Sequence, residues 1–155
     1  MHHNEVTRDG AALAALMSER CEILRSLHGI GKRQIEVIDA GHMSELMSLL
    51  AQKQRPLHRL GEIAELLKPF ASQDHRERQW PSGECQTQCR ADQAECERLH
   101  VELLAIEAQC ESALEASRES IRDELHRTDV ARQAATSYSS CETRPTSGAQ
   151  LDLTE

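Results

Sequence analysis

The sequence predicts an all-α protein, and three observations lead to this prediction. Only three of the 155 residues are aromatic, and 7 Gly and 4 Pro leave little turn chemistry for a β-sheet. Ala, Leu, Glu, Gln and Arg, which are strong helix formers, dominate the composition. Apolar residues recur every three or four positions along most of the chain. The predicted architecture is a long antiparallel helical hairpin or bundle with a disordered C-terminal tail.

The pattern divides the chain into three parts. Residues 1–10 are polar and predict a flexible N-terminus, with Thr7 or Asp9 capping the helix that follows. Residues 11–138 carry the helical pattern and predict the folded hairpin or bundle domain. Residues 139–155 are rich in Ser and Thr with few apolar residues, which predicts a disordered tail.

Gly and Pro predict where the first helical arm is interrupted. Gly41 predicts a short break, and Pro56 predicts a kink or a restart because proline lacks a backbone N–H donor. Ser44 is a weak capping candidate after the break. Pro69 predicts the end of the arm. If the first arm folds back at these breaks, it can supply a third layer of helix.

The second arm is predicted from a run without Gly or Pro at residues 84–135. Before it lies a connection, residues 69–83, that contains Phe70 and Trp80. These two rings are expected to pack against the end of the hairpin, and the alternative is an exposed recognition anchor.

The cysteines fall on the apolar side of the second arm. At 100° per residue, Cys85, Cys89, Cys96 and Cys110 share one stripe with Leu103, Leu114, Ile121 and Leu125. Free cysteine packs as a small hydrophobe, so core packing is the first interpretation. A metal site or a redox site built on Cys85, Cys89 and Cys96 is the alternative, although their spacing supplies no second pair of zinc ligands. No cofactor is predicted.

Composition also excludes several classes of function. The formal net charge is −8, and residues 61–155 carry 19 Asp and Glu against 10 Lys and Arg, which opposes nucleic-acid binding. No apolar run is long enough to span a membrane. The N-terminus lacks the order of a signal peptide, which predicts a cytoplasmic protein. No catalytic constellation is found, because Glu97 and His100 give only half of a di-iron motif. We therefore predict that the protein is not an enzyme.

Two stretches resemble the FlgN-type flagellar export chaperones. Within residues 33–54, Gly41, Leu46, Leu49 and Lys53 stand at the places of the family pattern G-D/N-x-x-x-L-x-x-L-x-x-x-K, with His42 where the family has Asp or Asn. Residues 123–138 are similar to the C-terminal end of the family, a last helix that closes in small residues and Tyr138.

The resemblance implies a cytoplasmic export chaperone. Such a protein binds the amphipathic terminal segments of hook–filament junction proteins, prevents their premature assembly and delivers them to the flagellar export gate, which is its only route to the membrane. On this implication, Leu114, Ile121 and Leu125 are candidates for the cargo-binding groove, with packing inside the hairpin as the other interpretation. Tyr138 is the candidate contact for the export gate, and its alternative is simple helix-end packing.

The apolar stripes support binding of a partner helix independently of the resemblance. Two helices alone leave part of each stripe exposed to water, and an exposed apolar stripe suits an amphipathic partner helix. A self-associating coiled-coil scaffold is the main alternative, in which a homodimer covers the stripe. A metal-responsive or redox-responsive bundle is the third interpretation.

Overall fold

The computed structural model describes residues 9–142, and the side chains of residues 9–140. Its three long helices are α1 (Gly10–Asp39), α2 (Met43–Ala71) and α3 (Gly83–Glu142), and a single 3₁₀ turn at His75–Glu77 lies between α2 and α3. The described residues form no β-strand, so the all-α prediction is confirmed. The chain divides after Glu115 into two compact units, Met1–Glu115 and Ala116–Glu155.

Helix α1 begins where the sequence placed a cap. The Asp9 carboxylate accepts hydrogen bonds from the backbone N–H groups of Ala11 at 2.9 Å and Ala12 at 3.2 Å. These bonds satisfy donors that the first turn of a helix leaves without partners. The Gly10 backbone N–H donates to the Gln79 carbonyl at 2.8 Å, which ties the start of α1 to the connection before α3. The Thr7 cap lies outside the described residues.

A Schellman motif ends α1 and turns the chain into α2. Gly41 has a φ of 74°, a left-handed conformation that costs a glycine little. The His42 N–H donates to the Val37 carbonyl at 2.9 Å, and the Gly41 N–H donates to the Ile38 carbonyl at 3.0 Å. These two bonds are the pair that defines the motif. Helix α2 begins at Met43, so Ser44 lies inside the helix and is not its cap.

The expectation that Pro56 restarts the helix was wrong, whereas the arm ends two residues after Pro69, close to where it was expected to end. Helix α2 passes through Pro56 and Pro69 and ends at Ala71. Each proline removes one backbone donor, but buried side chains hold α2 on both sides of Pro56, with Leu49 and Lys53 before it and Ile63 and Phe70 after it. Tertiary packing therefore outweighs the local cost of a proline. The break at Gly41 alone divides the arm, and it makes α1 and α2 two packed antiparallel helices rather than one long helix.

Ion pairs fix the directions of the helices in the first unit. Arg59 reaches back to Glu19 with two hydrogen bonds at 2.6 and 3.0 Å, while Arg33 near the corner pairs with Glu45. Residue numbers therefore fall along α1 as they rise along α2, which is antiparallel packing. Lys53 of α2 pairs with Glu107 of α3 at 2.5 Å, and His28 of α1 lies 2.6 Å from Glu102 of α3.

The core of the first unit consists of three clusters stacked along the helices. In two clusters the buried residues come from all three helices, and in the middle cluster they come from α1 and α3. The buried members of the first cluster are Leu13, Phe70 and Cys89, those of the middle cluster are Cys21, Leu24, Cys96 and Leu99, and those of the third are Val37, Ile38, Leu46, Leu49 and Cys110. The cysteine prediction is confirmed for Cys89, Cys96 and Cys110, which are buried, whereas Cys85 is half-buried. Gly31 lets α1 approach α3 closely, because a Cβ there would lie 2.7 Å from Ile106.

The described residues of the second unit, 116–142, form the C-terminal part of α3. From residue 116 to residue 140 every side chain except that of Ser117 is exposed. Ser139 and Ser140 lie inside α3, so the helix continues past the predicted start of the tail. The rest of that tail, and residues 1–8 of the predicted flexible N-terminus, lie outside the described residues.

Candidate partner-binding surfaces

The two groove candidates of the second unit are exposed. Ile121 is 52% and Leu125 is 62% accessible, and their spacing of four residues places them on one face of α3. They follow the same stripe that is buried farther up the helix, yet no described residue covers them. Neither side chain belongs to a core cluster of the described residues, so both remain candidates for a partner-binding surface.

Leu114 belongs to the first unit and lies where the burial of α3 ends. Its side chain is 39% exposed, whereas Ala113 beside it packs against the cluster of Val37 and Cys110. Leu114 is not a member of that cluster. Core packing does not explain this leucine either, so all three groove candidates present apolar surface to solvent.

Tyr138 lies on a different face of the second unit. Its side chain is 76% exposed, and Val130 and Ala134 precede it at spacings of eight and four residues on the same face. Nine residues, or two and a half turns, separate Ile121 from Val130, so these two apolar faces point in roughly opposite directions. The helix-end packing that we gave as the alternative for Tyr138 has no counterpart among the described residues, because nothing buries its ring.

A further apolar strip on α2 was missed by the sequence reasoning. Met43, Met47, Leu50 and Leu57 are 37% to 64% exposed and lie close to one helical face. The helical pattern of the sequence contains Leu50 and Leu57 as well as Leu46 and Leu49, and it does not separate the exposed leucines from the buried ones. The adjacent leucines at 49 and 50 could have indicated this exposed strip. Neighbours on a helix lie 100° apart, so only one of the two can point directly into the core.

The connection between α2 and α3 closes one end of the first unit, as its aromatic residues predicted. Phe70 is buried among Leu13 and Cys89, and Trp80 packs against the same cluster. Gly10 makes this possible, because a Cβ at that position would lie 2.7 Å from the Trp80 ring. Trp80 also lines a partly open cleft of about 290 Å³ together with His75, Arg78 and Arg90. The sequence gave no signal for this cleft, since its residues come from three separate segments.

The buried thiols show no sign of an activated site. Burial raises the pKa of the Cys96 thiol to about 11, with a smaller contribution from the neighbouring Cys21. Burial also raises the pKa of Cys89 and of Cys110, each with a smaller contribution from a nearby carboxylate. Thiolate is the reactive form, so these residues are protonated and inert near neutral pH. Within residues 9–142 no group of three or more His, Cys, Asp or Glu is placed to hold a metal ion.

Ion pairs engage two carboxylates of the first unit. The Glu19 carboxylate accepts hydrogen bonds from Arg59, which lowers its pKa. Glu95 is held in the same way by Arg98 of its own helix, which lowers the Glu95 pKa. These carboxylates stabilise charges rather than exchange protons near pH 7.

Among the described residues no helix is both long enough and apolar enough to cross a bilayer.

One comparison with known proteins decides the family. The family model described as FlgN protein matches residues 9–144, which is most of the chain. The chain belongs to the FlgN family. Among curated proteins and among solved structures, none matches it. FlgN membership supports a general role as a flagellar export chaperone, and the family is a family of chaperones rather than of enzymes.

The FlgN pattern at residues 41–53 has a structural explanation in this chain. Gly41 supplies the left-handed residue of the corner, and Leu46 and Leu49 are buried beside Val37 and Ile38 of α1. Lys53 is 8% exposed, and its ammonium group binds Glu107. Each element of the pattern therefore builds the α1–α2 corner or attaches it to α3. These residues have structural roles, so the pattern identifies the fold. The residues that bind a partner must be sought outside the pattern.

Proposed function

We propose that this FlgN protein is a cytoplasmic export chaperone that binds the amphipathic terminal segments of hook–filament junction proteins. Bound to such a segment, it prevents premature assembly and delivers its cargo to the export gate. The observation that carries the proposal is the exposed pair Ile121 and Leu125, which continues the core stripe into a part of α3 without packed neighbours. Apolar side chains at spacings of three, four and seven residues are what a helix-in-groove interaction needs.

The charges around this pair suit a reversible complex. Arg118, Arg122, Asp123 and Glu124 are exposed within one turn of Ile121 or Leu125, so both signs of charge flank the apolar face. A mixed polar rim around a small apolar centre is typical of interfaces that form and dissociate. Burying the exposed parts of two such side chains contributes about 1 kcal/mol each, which fits an affinity that release at a gate can reverse.

Calorimetric titration against C-terminal peptides of junction proteins from the same genome tests cargo binding. We expect one-to-one binding that Ile121→Glu weakens about tenfold or more, because a carboxylate replaces apolar surface at the contact. Ser120→Glu is the matched control: it adds the same charge at an adjacent exposed position and should change the affinity less than twofold. Equal losses in both variants, or no binding by the wild type, would contradict the cargo site.

Tyr138 is proposed as the contact with the export gate. Its ring is more exposed than any other described large apolar side chain, and exposed Tyr is a frequent binding anchor. In a pull-down with the cytoplasmic part of the gate, cargo-loaded Tyr138→Ala should lose most of its gate binding while cargo affinity stays unchanged. Ser137→Ala serves as the control. Retained gate binding by Tyr138→Ala would remove the tyrosine from the proposal.

A self-associating scaffold is the second candidate, and the same exposed pair favours it. A second copy of the chain can cover Ile121 and Leu125 in a symmetric dimer. Sedimentation at micromolar concentration separates the two candidates. A monomer that binds the peptides supports the chaperone, whereas a tight dimer that Ile121→Glu dissociates, and that binds no peptide, supports the scaffold.

A further inference from the structure

The cleft at the closed end of the first unit has a basic character that contrasts with the acidic chain. It is lined by His75, Arg78 and Trp80 of the connection, by Leu13 of α1, and by Cys89, Arg90 and two glutamines of α3. None of these lining residues is acidic, although the formal net charge of the protein is −8. The cleft therefore presents positive charge to a ligand, which favours an anion.

Arg78 is held in place before any ligand arrives. One terminal nitrogen of its guanidinium donates to the Phe70 carbonyl at 2.5 Å, and its Cζ lies 5.9 Å from the centre of the Phe70 ring. The Nε of the same side chain is buried and has no hydrogen-bond partner among the described residues. Arg78 therefore lines the cleft with a guanidinium whose position the protein already fixes.

Arg90 adds a second guanidinium that is free to bind. Its side chain is exposed, and within residues 9–142 it makes no ion pair and no side-chain hydrogen bond. Arg33, Arg59 and Arg98 of the same unit, by contrast, are each paired with two carboxylates, so their guanidiniums are already engaged. Two guanidiniums beside one cleft match the two oxygens of a carboxylate.

Part of the cleft wall is apolar, and it indicates which chemical group a bound carboxylate would carry. Leu13 and Trp80 give the cleft an apolar side, and both belong to a packed cluster. A volume of about 290 Å³ is at the lower limit of small-molecule sites, so it has room for one residue rather than for a passing chain. We propose that this cleft binds the C-terminal carboxylate of a peptide whose last residue is apolar. All lining residues of the cleft belong to the first unit, and the proposal does not depend on the cargo proposal.

Trp80 is the single tryptophan of the chain, so its fluorescence and its indole NMR signal report on this cleft alone. The intact protein is titrated with N-acetyl-leucine, with N-acetyl-leucinamide, with N-acetyl-glutamyl-leucinamide and with inorganic phosphate. We expect a saturable shift of the Trp80 signals with N-acetyl-leucine at millimolar concentration. The neutral amide should bind at least about tenfold more weakly, because it offers no charge to the arginines.

Arg90→Gln is the decisive variant, since Arg90 is exposed and its loss leaves the fold intact. It should weaken N-acetyl-leucine about tenfold, whereas Arg118→Gln, which removes the same charge from the second unit, should change binding less than twofold. The proposal is overturned by the absence of a saturable shift, by equal binding of the amide, or by an equal effect of Arg118→Gln. Phosphate or the glutamyl compound binding as tightly as N-acetyl-leucine also overturns it, because either result identifies a different anion.

Discussion

The two parts of α3 carry the same stripe but have different surroundings. Between Cys89 and Cys110 the stripe packs into the core of the first unit, and Cys96 and Leu99 are at most 2% exposed. From residue 116 to residue 140 the stripe continues through Ile121 and Leu125, which are more than half exposed. An apolar stripe therefore shows which face of a helix requires a partner, but it does not show where that partner comes from.

The helix lengths explain the difference. Helix α1 has 30 residues and α2 has 29, whereas α3 has 60. At a rise of 1.5 Å per residue, either short helix can line only half of the long one. The sequence prediction paired a first arm that ends at Pro69 with a second arm at residues 84–135, and this pairing hid the inequality because the corner at Gly41 halves the length of the first arm.

The largest expected effect is the difference in unfolding free energy between truncations in the two parts of α3. Leu99→Ala should lower the free energy of unfolding by about 3 kcal/mol, because Leu99 is buried beside Cys21 and Leu24. Leu125→Ala should change the free energy of unfolding by less than about 0.5 kcal/mol, because the Leu125 side chain is mostly exposed and its truncation removes few contacts. Urea unfolding followed by circular dichroism measures both values. Similar losses in the two variants would mean that residues 116–140 pack against something in the free protein.

A smaller effect is expected at the corner that covers the first part of α3. Gly41→Ala should destabilise the protein by about 1–2 kcal/mol, because alanine is strained at a φ of 74°. Gly29→Ala is the control inside α1, where a Cβ would meet nothing within 4 Å, and it should stabilise by up to about 1 kcal/mol. The same unfolding experiment compares them. A destabilising Gly29→Ala or a neutral Gly41→Ala would contradict the assigned corner.

A substitution at His42 is expected to stabilise the protein rather than destabilise it. It occupies the N-cap position of α2 without a capping hydrogen bond from its side chain. Because the FlgN pattern has Asp or Asn here, His42→Asp should add a cap and stabilise the protein by about 1 kcal/mol. A rise in melting temperature of a few degrees is the expected readout. His42→Ala, which adds no cap, should show no such rise.

The smallest effect concerns the buried thiols of the first part of α3. The pKa of Cys96 rises from 9.0 to about 11 in the folded protein, so folding favours the protonated thiol. Its contribution to stability is complete below pH 9 and is lost as the pH rises towards 11. Urea unfolding at pH 8 and at pH 10 should show a smaller loss in Cys96→Ala than in the wild type. The same pH dependence in both proteins would remove Cys96 as its source.

The sequence predicted the helices and most of the core, since these follow from local pattern. The spacing of Cys89, Cys96 and Cys110 identified a buried face correctly, and the Asp9 cap and the Gly41 break were found from residue type alone. Pro56 was misjudged because the packing of residues on either side of it is a tertiary effect. The basic cleft was missed because His75, Arg78 and Arg90 have no common spacing, and only the path of the connection brings them together.

Hydrogen–deuterium exchange of the full-length protein, with and without a junction-protein C-terminal peptide, tests the central claim most directly. The account predicts slow exchange in the buried part of α3, residues 83–115, in both samples. Residues 116–140 should exchange fast alone and become protected when the peptide binds. Protection of residues 116–140 without peptide, at a concentration where the protein is a monomer, would contradict it. So would peptide binding that protects only the first unit.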